Sequence, residues 1–104
     1  MFVVLYRWRI KPAFEQQFIE AWSERTAYFL ENYGSLGSRL HRGDDGIWYG
    51  YAQWKSAEQR ERAFQAESSV FAAAGEKMRE AIDENFPEIN LETTADFLVF
   101  SKKN

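Results

Sequence analysis

The sequence predicts an α+β fold in which a four-stranded antiparallel sheet carries its helices on one face. Two observations indicate this fold: several short segments are rich in β-branched and aromatic residues, and two longer segments repeat their apolar residues at helical spacing. The chain has 104 residues, the usual length of one domain, and we expect residues 1–104 to form a single domain.

The first half of the chain begins with a strand and continues with a long helix. Residues 2–10 are mostly β-branched and aromatic, and Pro12 ends this strand because proline cannot donate to a ladder. Apolar residues then recur at helical spacing as far as Tyr33, and Gly34 provides the stop signal. The helix should bury an aromatic stripe. The apolar residues at this helical spacing are Phe14, Phe18, Ala21, Trp22, Phe29, Leu30 and Tyr33.

A hairpin and the second helical region follow. Strands are expected over residues 36–42 and 47–54, joined by the turn Gly43-Asp44-Asp45-Gly46. Adjacent aspartates between two glycines are typical of a turn, so we interpret them as turn residues rather than metal ligands.

Ser56 and Gln59 have the spacing of a capping box and predict a helix that begins at about Ala57. A second serine cap near Ser69 predicts a further helix as far as Phe86, ended by Pro87, and the last strand is expected at about 95–101.

The resulting β-α-β-β-α-β order is that of a ferredoxin-like subunit. Alternation along the first strand places Val4, Tyr6 and Trp8 on the helix side and Val3, Leu5, Arg7 and Arg9 on the other. Apolar bulk on the side without helices predicts a cover, and a second copy of the sheet is the simplest one. We therefore expect a homodimer, with Arg7, Arg9 and Arg39 paired to carboxylates of the partner chain.

Composition excludes several functional classes. Lys and Arg total 13 against 16 Asp and Glu, so the net charge of −3 disfavours nucleic acid as a partner. The absence of cysteine excludes disulfides and thiolate chemistry, and one histidine cannot form a His-rich metal site. We see neither a signal peptide nor a membrane span, and we expect a cytoplasmic protein without membrane association. Aromatic residues reach 17%, which suits a core, an interface or a pocket for a flat ligand.

Five segments resemble the antibiotic biosynthesis monooxygenase family. They are Val-Leu-Tyr-Arg-Trp-Arg-Ile-Lys-Pro at 4–12, Phe-Ile-Glu-Ala-Trp at 18–22, Gly-Ser-Leu-Gly-Ser-Arg-Leu-His-Arg at 34–42, Tyr-Ala-Gln-Trp-Lys-Ser at 51–56, and Ser-Ser-Val-Phe-Ala-Ala-Ala at 68–74. The resemblance covers nearly the whole chain and implies a dimeric α+β barrel of ferredoxin-like subunits, with a pocket between helices and sheet in each.

The resemblance implies several chemistries. Members similar to this chain include monooxygenases that oxidise electron-rich aromatic molecules without a cofactor, haem-degrading enzymes, and proteins without a known substrate. Haem-degrading relatives use an asparagine, a tryptophan and a histidine ligand. The tryptophan matches Trp54, whereas the asparagine position aligns with about Tyr6 and the histidine position with Gly75. Glycine cannot ligate iron, so haem degradation is the third candidate here.

We assign Trp54, Tyr6 and Arg25 as candidate catalytic residues, and Trp8, Trp22, Thr26 and Gly75 as candidate substrate-binding residues. Tyr6 and Trp54 could donate hydrogen bonds to a developing oxyanion, and Arg25 and Thr26 interrupt the apolar stripe of the first helix. Each has a structural alternative, in which the aromatic residues fill the core and Arg25 lies on the surface. Gly75 leaves space in a helix for either close packing or a pocket wall.

The resemblance thus implies a cofactor-independent monooxygenase, with no metal, for a small hydrophobic, aromatic or quinone-type metabolite. The alternative is a ligand-binding dimer without catalysis. His41 shares the predicted dimer face with Arg39 and is interpreted as an interface residue rather than a catalytic base.

Overall fold

The computed structural model describes residues 1–66 and 72–99. Four strands form one antiparallel sheet in the order β2-β3-β1-β4, and the helices pack on one of its faces. The elements in chain order are β1 (Phe2–Ile10), a 3₁₀ turn (Pro12–Phe14), α1 (Glu15–Asn32), β2 (Ser35–Arg42), β3 (Trp48–Trp54), α2 (Ala57–Gln65), α3 (Ala72–Ala81) and β4 (Ile82–Glu92). This arrangement confirms the predicted ferredoxin-like α+β class.

The predicted start and stop signals act close to where the sequence places them. Pro12 opens a 3₁₀ turn rather than α1 itself, and Gly34 has φ +75°, a left-handed conformation that favours glycine. Ser56 caps α2 by accepting from the backbone N–H of Gln59 at 3.1 Å. The Gln59 side chain does not complete the capping box; it donates instead to the carbonyl of Tyr33 at 2.7 Å and so ties α2 to the end of α1.

The last strand is the main difference from the sequence-based expectation. β4 begins at Ile82, directly after α3, and residues 95–99 lie outside any strand. The helix predicted to reach Phe86 therefore ends at Ala81. Met78, Ile82 and Phe86 repeat every four residues and so mimic a helix, while the polar sequence of an exposed edge strand gives no β signal. The predicted serine cap near Ser69 and positions 100–101 of the predicted strand lie outside the described residues.

Pro87 lies within β4 at an interruption of its pairing with β1. Leu5 is opposite Ile89 and Arg7 is opposite Phe86, so Tyr6 faces the two residues Pro87 and Glu88. This is a β-bulge, where the missing N–H of a proline is tolerated and the strand can redirect a side chain.

Two aromatic clusters fill the space between sheet and helices. One surrounds Phe18 and contains Trp8, Trp48 and Met78; the other surrounds Phe29 and contains Val4, Ala52, Trp54 and Ala63. The alternation predicted for β1 and β3 is thus confirmed, because Val4, Trp8, Trp48 and Trp54 are all buried on the helix side.

The opposite sheet face carries exposed apolar residues. Ile89 and Leu91 are 38% and 44% exposed; of their partners on β1, Leu5 is half-buried and Val3 is buried. Within the chain, Arg7 donates to the Pro87 carbonyl at 2.9 Å and Arg9 pairs with Glu84 at 3.6 Å. The pairing of Arg7, Arg9 and Arg39 with carboxylates of a partner chain stays a prediction. Within residues 1–66 and 72–99, no helix is long and apolar enough to span a membrane.

Candidate functional site

A half-open cavity of about 60 Å³ lies between the helices and the sheet, where the two aromatic clusters meet. Every strand except β4 and all three helices contribute to its wall. The lining residues are Tyr6, Trp8, Trp22, Arg25, Thr26, Phe29, Ser35, Ser38, Gly50, Tyr51, Ala52, Trp54, Phe64 and Met78.

Six of the seven candidate residues from the sequence lie around this cavity: Tyr6, Trp8, Trp22, Arg25, Thr26 and Trp54. Gly75 does not. Among the described residues, a Cβ atom placed on Gly75 would meet the Arg79 guanidinium at 3.4 Å and no cavity residue. The space that this glycine leaves therefore faces its own helix and not the cavity.

Trp54 is held rigidly at the end of β3. Its side chain is 2% exposed and packs edge-on against Phe29 and Phe64, at centroid distances of 5.9 and 6.4 Å. Its indole Nε1 is buried and has no hydrogen-bond partner among the described residues. Trp54 therefore fills the core, and it is also a lining residue whose buried donor has no partner among the described residues. Its role as a catalytic residue stays a prediction.

Tyr6 and Trp8 project from the same face of β1. Their rings stack at a centroid distance of 5.8 Å with 9° between the planes. Trp8 lies so close to β3 that a Cβ on Gly50 would be 2.8 Å from the indole. Gly50 is therefore needed for close approach, and much of the room that its missing side chain leaves is occupied by Trp8.

The Tyr6 hydroxyl is the second buried polar atom at the cavity that lacks a hydrogen bond of good geometry within the described residues. Burial raises the pKa of Tyr6 above its ordinary value, and the nearby positive charge of Arg60 opposes that rise. At neutral pH the hydroxyl is consequently protonated, so it can donate a hydrogen bond.

The electrostatic character of the cavity is positive. Arg25 lines it and lies over two aromatic rings, 5.0 Å from the centroid of Phe29 and 5.1 Å from that of Phe64. None of the described lining residues carries a carboxylate or an imidazole. The chain's one histidine, His41, is exposed on β2 outside this lining. The site thus offers donors and a cation but no ordinary general base.

Sequence patterns alone missed several lining residues. Ser35 and Ser38 flank an irregularity in the β2–β3 pairing, and the Ser35 hydroxyl accepts from the Gly37 N–H at 3.1 Å. Phe64 comes from α2 and stacks on Phe29 at 5.2 Å. The two glycines within residues 34–37 are a sequence signal of an irregular strand. No local signal places Phe64 at the cavity.

Comparison with known proteins identifies the family. The model of the antibiotic biosynthesis monooxygenase family matches residues 1–84. A search of functionally curated proteins finds no match.

Several solved structures share the fold. SnoaB, a cofactor-independent oxygenase from Streptomyces nogalater, is 15% identical, covers 92% of this chain and 95% of its own, and superposes with a TM-score of 0.75. A conserved protein from Methanosarcina mazei is 15% identical over 89% of this chain and 92% of its own, with a TM-score of 0.74. Rv0793 from Mycobacterium tuberculosis is 11% identical over 93% and 98%, also at 0.74. At these identities the likeness establishes the fold alone.

The family model covers most of the chain, and the fold agrees with it. The chain belongs to the antibiotic biosynthesis monooxygenase family.

Proposed function

We propose that the protein is a cofactor-independent monooxygenase for a small, electron-rich aromatic or quinone-forming metabolite. One observation carries the proposal: Tyr6 and Trp54 both line one aromatic cavity, and neither the buried Tyr6 hydroxyl nor the buried Trp54 indole N–H donates to another of the described residues. A buried polar group that the protein leaves unpaired is costly, and a ligand oxygen would remove that cost.

The chemistry is balanced without an external reductant. A methylene carbon conjugated to a carbonyl loses a proton to give an enolate, which transfers electrons to dioxygen and joins it as a peroxide at that carbon. Loss of water from the peroxide then leaves a carbonyl. The substrate supplies all four electrons, one oxygen atom enters the product, and the other leaves as water.

The protein's task is to bind the enolate and stabilise its oxygen. In our proposal Tyr6 and Trp54 donate to that oxygen, Arg25 supplies positive charge, and the rings of Trp8 and Trp22 contact the faces of the substrate. Because the described lining offers no base, the substrate must be acidic enough to lose its proton to solvent or to bind as an anion. Activity should therefore rise with pH through the pKa of the substrate.

Cavity size sets a further condition. One buried water needs ~10–15 Å³, so a cavity of about 60 Å³ holds only a few water molecules. This volume is smaller than a benzene ring needs. An aromatic substrate must therefore displace side chains at the cavity.

The test is oxygen consumption with anthrone-type and dihydroquinone-type substrates in the presence of a metal chelator. We expect one oxygen molecule consumed per substrate, with ¹⁸O from dioxygen in the product. Tyr6→Phe and Trp54→Phe should reduce kcat/KM, each by roughly 10²–10³-fold, the loss seen on removing one oxyanion donor.

Two other results would select the alternatives. A ligand that raises the melting temperature of the protein but causes no oxygen uptake would favour the ligand-binding dimer. The observation that supports this alternative is that the described lining residues include no general base. A Soret band retained after haem addition, together with haem turnover by a reductant, would favour haem degradation despite Gly75.

We also propose that the protein acts as a homodimer joined through the helix-free sheet faces. The support is the exposed apolar surface on that face, represented by Ile89 and Leu91.

A further inference from the structure

Next to Tyr6, and outside the cavity lining, lies a polar side chain that the proposed reaction does not use. Arg60 projects from α2, and its guanidinium carbon is 5.6 Å from the Tyr6 ring centroid and 4.6 Å from that of Phe64. The guanidinium Nη2 donates to Glu88 at 2.7 Å. Tyr6 therefore borders both the cavity and a charged pair.

The β4 bulge is what brings the carboxylate to this position. Tyr6 faces Pro87 and Glu88 across the interrupted β1–β4 pairing, so Glu88 is one of the two residues that the bulge sets against it. Three elements, β1, α2 and β4, thus converge on one phenol.

This ion pair differs from the other pairs of the described chain. The Arg60 side chain is only 17% exposed, whereas Arg42, paired with Glu15, is 60% exposed. The Arg60 Nε is buried and has no partner among the described residues. Withdrawing such charges from water costs free energy that their attraction need not recover, so stability alone explains the pair poorly.

The charge of Arg60 acts on the group that the proposed function uses as a donor. Burial raises the pKa of Tyr6; Arg60 is the strongest opposing influence, Glu88 adds to the rise, and Arg25 from α1 lowers it. A phenol of lower pKa donates a stronger hydrogen bond to an oxyanion.

We propose that Arg60, held in place by Glu88, is a positioning residue that sets the donor strength of the Tyr6 hydroxyl. This inference rests on the proposed function for its catalytic meaning, but its electrostatic part does not. No bond is made or broken at Arg60, which stays cationic, and the opposite charge of Glu88 limits its effect.

The test measures the acidity of Tyr6 without any substrate. 3-Fluorotyrosine is placed at position 6 of the full chain, and its ¹⁹F signal is titrated with pH. Arg60→Met should shift the pKa of that phenol upward. Glu88→Gln should shift the pKa downward, because the glutamine oxygen can still accept from Arg60 while the negative charge is gone.

Arg42→Met is the matched control. Arg42 also combines an ion pair with an aromatic contact, 4.8 Å from the Trp48 centroid, and its loss should leave the phenol titration unchanged. An unchanged titration in Arg60→Met, or an upward shift in Glu88→Gln, would overturn the proposal. If Arg60→Met does not fold, Glu88→Gln decides the matter alone.

Turnover separates this inference from the proposed function. With an active substrate, Arg60→Met should lower kcat/KM in the wild-type background and have no further effect in Tyr6→Phe. Equal losses in both backgrounds would show that Arg60 acts through structure only. If no substrate is turned over, the proposed function fails while the ¹⁹F result still stands.

Discussion

At the scale of single residues, Trp54 has two separable properties, its bulk and its N–H. Trp54→Phe retains most of the contacts with Phe29 and Phe64 and should cost about 1 kcal/mol of unfolding free energy. Trp54→Ala removes a large buried side chain and should cost about 3–5 kcal/mol. Urea denaturation measures both. If Trp54→Ala costs no more than Trp54→Phe, the aromatic cluster around Phe29 is not close-packed.

Two glycines provide a matched pair with opposite expected signs. In Gly50→Ala the new Cβ would lie 2.8 Å from the Trp8 indole, so overpacking should cost about 1–3 kcal/mol. In Gly75→Ala the Cβ meets, within residues 1–66 and 72–99, only the flexible end of Arg79, and the gain in helix propensity should stabilise the fold by about 1 kcal/mol.

Thermal unfolding of the two variants, with near-UV circular dichroism for the Trp8 environment, checks both signs. A stabilised Gly50→Ala would mean that Trp8 does not lie against β3. A destabilised Gly75→Ala would mean that something packs against that face of α3.

At the scale of elements, the β2–β3 hairpin has its own pH dependence. The Asp45 carboxylate accepts from the Tyr49 hydroxyl at 2.6 Å and from the Ile47 N–H at 2.9 Å, and these bonds lower its pKa. A lowered carboxyl pKa stabilises the fold above the carboxyl's ordinary pKa, and the contribution disappears as the pH falls through the lowered value.

Tyr49→Phe should therefore move the pKa of Asp45 upward, toward its ordinary value. A ¹³C NMR titration of the side-chain carboxyls measures the shift, with Tyr51→Phe, two residues along the same strand, as the control. An unmoved Asp45 titration in Tyr49→Phe would assign the lowered pKa to the turn backbone alone.

The same hairpin shows why some elements follow from sequence and others do not. Its turn depends on local chemistry, because Gly46 has φ +82° and Asp45 bonds within four residues of itself. β4 depends on its partner strand instead. Pro87 and several charged residues of β4 are unfavourable in a strand, yet the strand forms because its backbone pairs with that of β1.

At the scale of the whole molecule, the proposed dimer predicts a sedimenting mass of about twice 12.2 kDa at micromolar concentration. Ile89→Lys combined with Leu91→Lys places two charges on the helix-free face and should shift the protein toward a monomer. Leu30→Lys, on the exposed side of α1, is the control and should leave the mass unchanged. A wild-type mass near 12.2 kDa throughout that range would contradict the dimer.

By itself, the sequence determined the order and class of the fold, the helix-facing sides of β1 and β3, the hairpin turn and the family, because these depend on local chemistry and on patterns that repeat every two to four residues. It also named six residues around the cavity, since alternation places Tyr6, Trp8 and Trp54 on one face. Only the tertiary structure decided that β4 begins at Ile82, that Gly75 faces away from the cavity, and that Arg60 and Glu88 meet next to Tyr6. These interactions join residues up to 82 positions apart, from Tyr6 to Glu88. No local sequence pattern determines which distant side chain a bulge or a helix will place next to another.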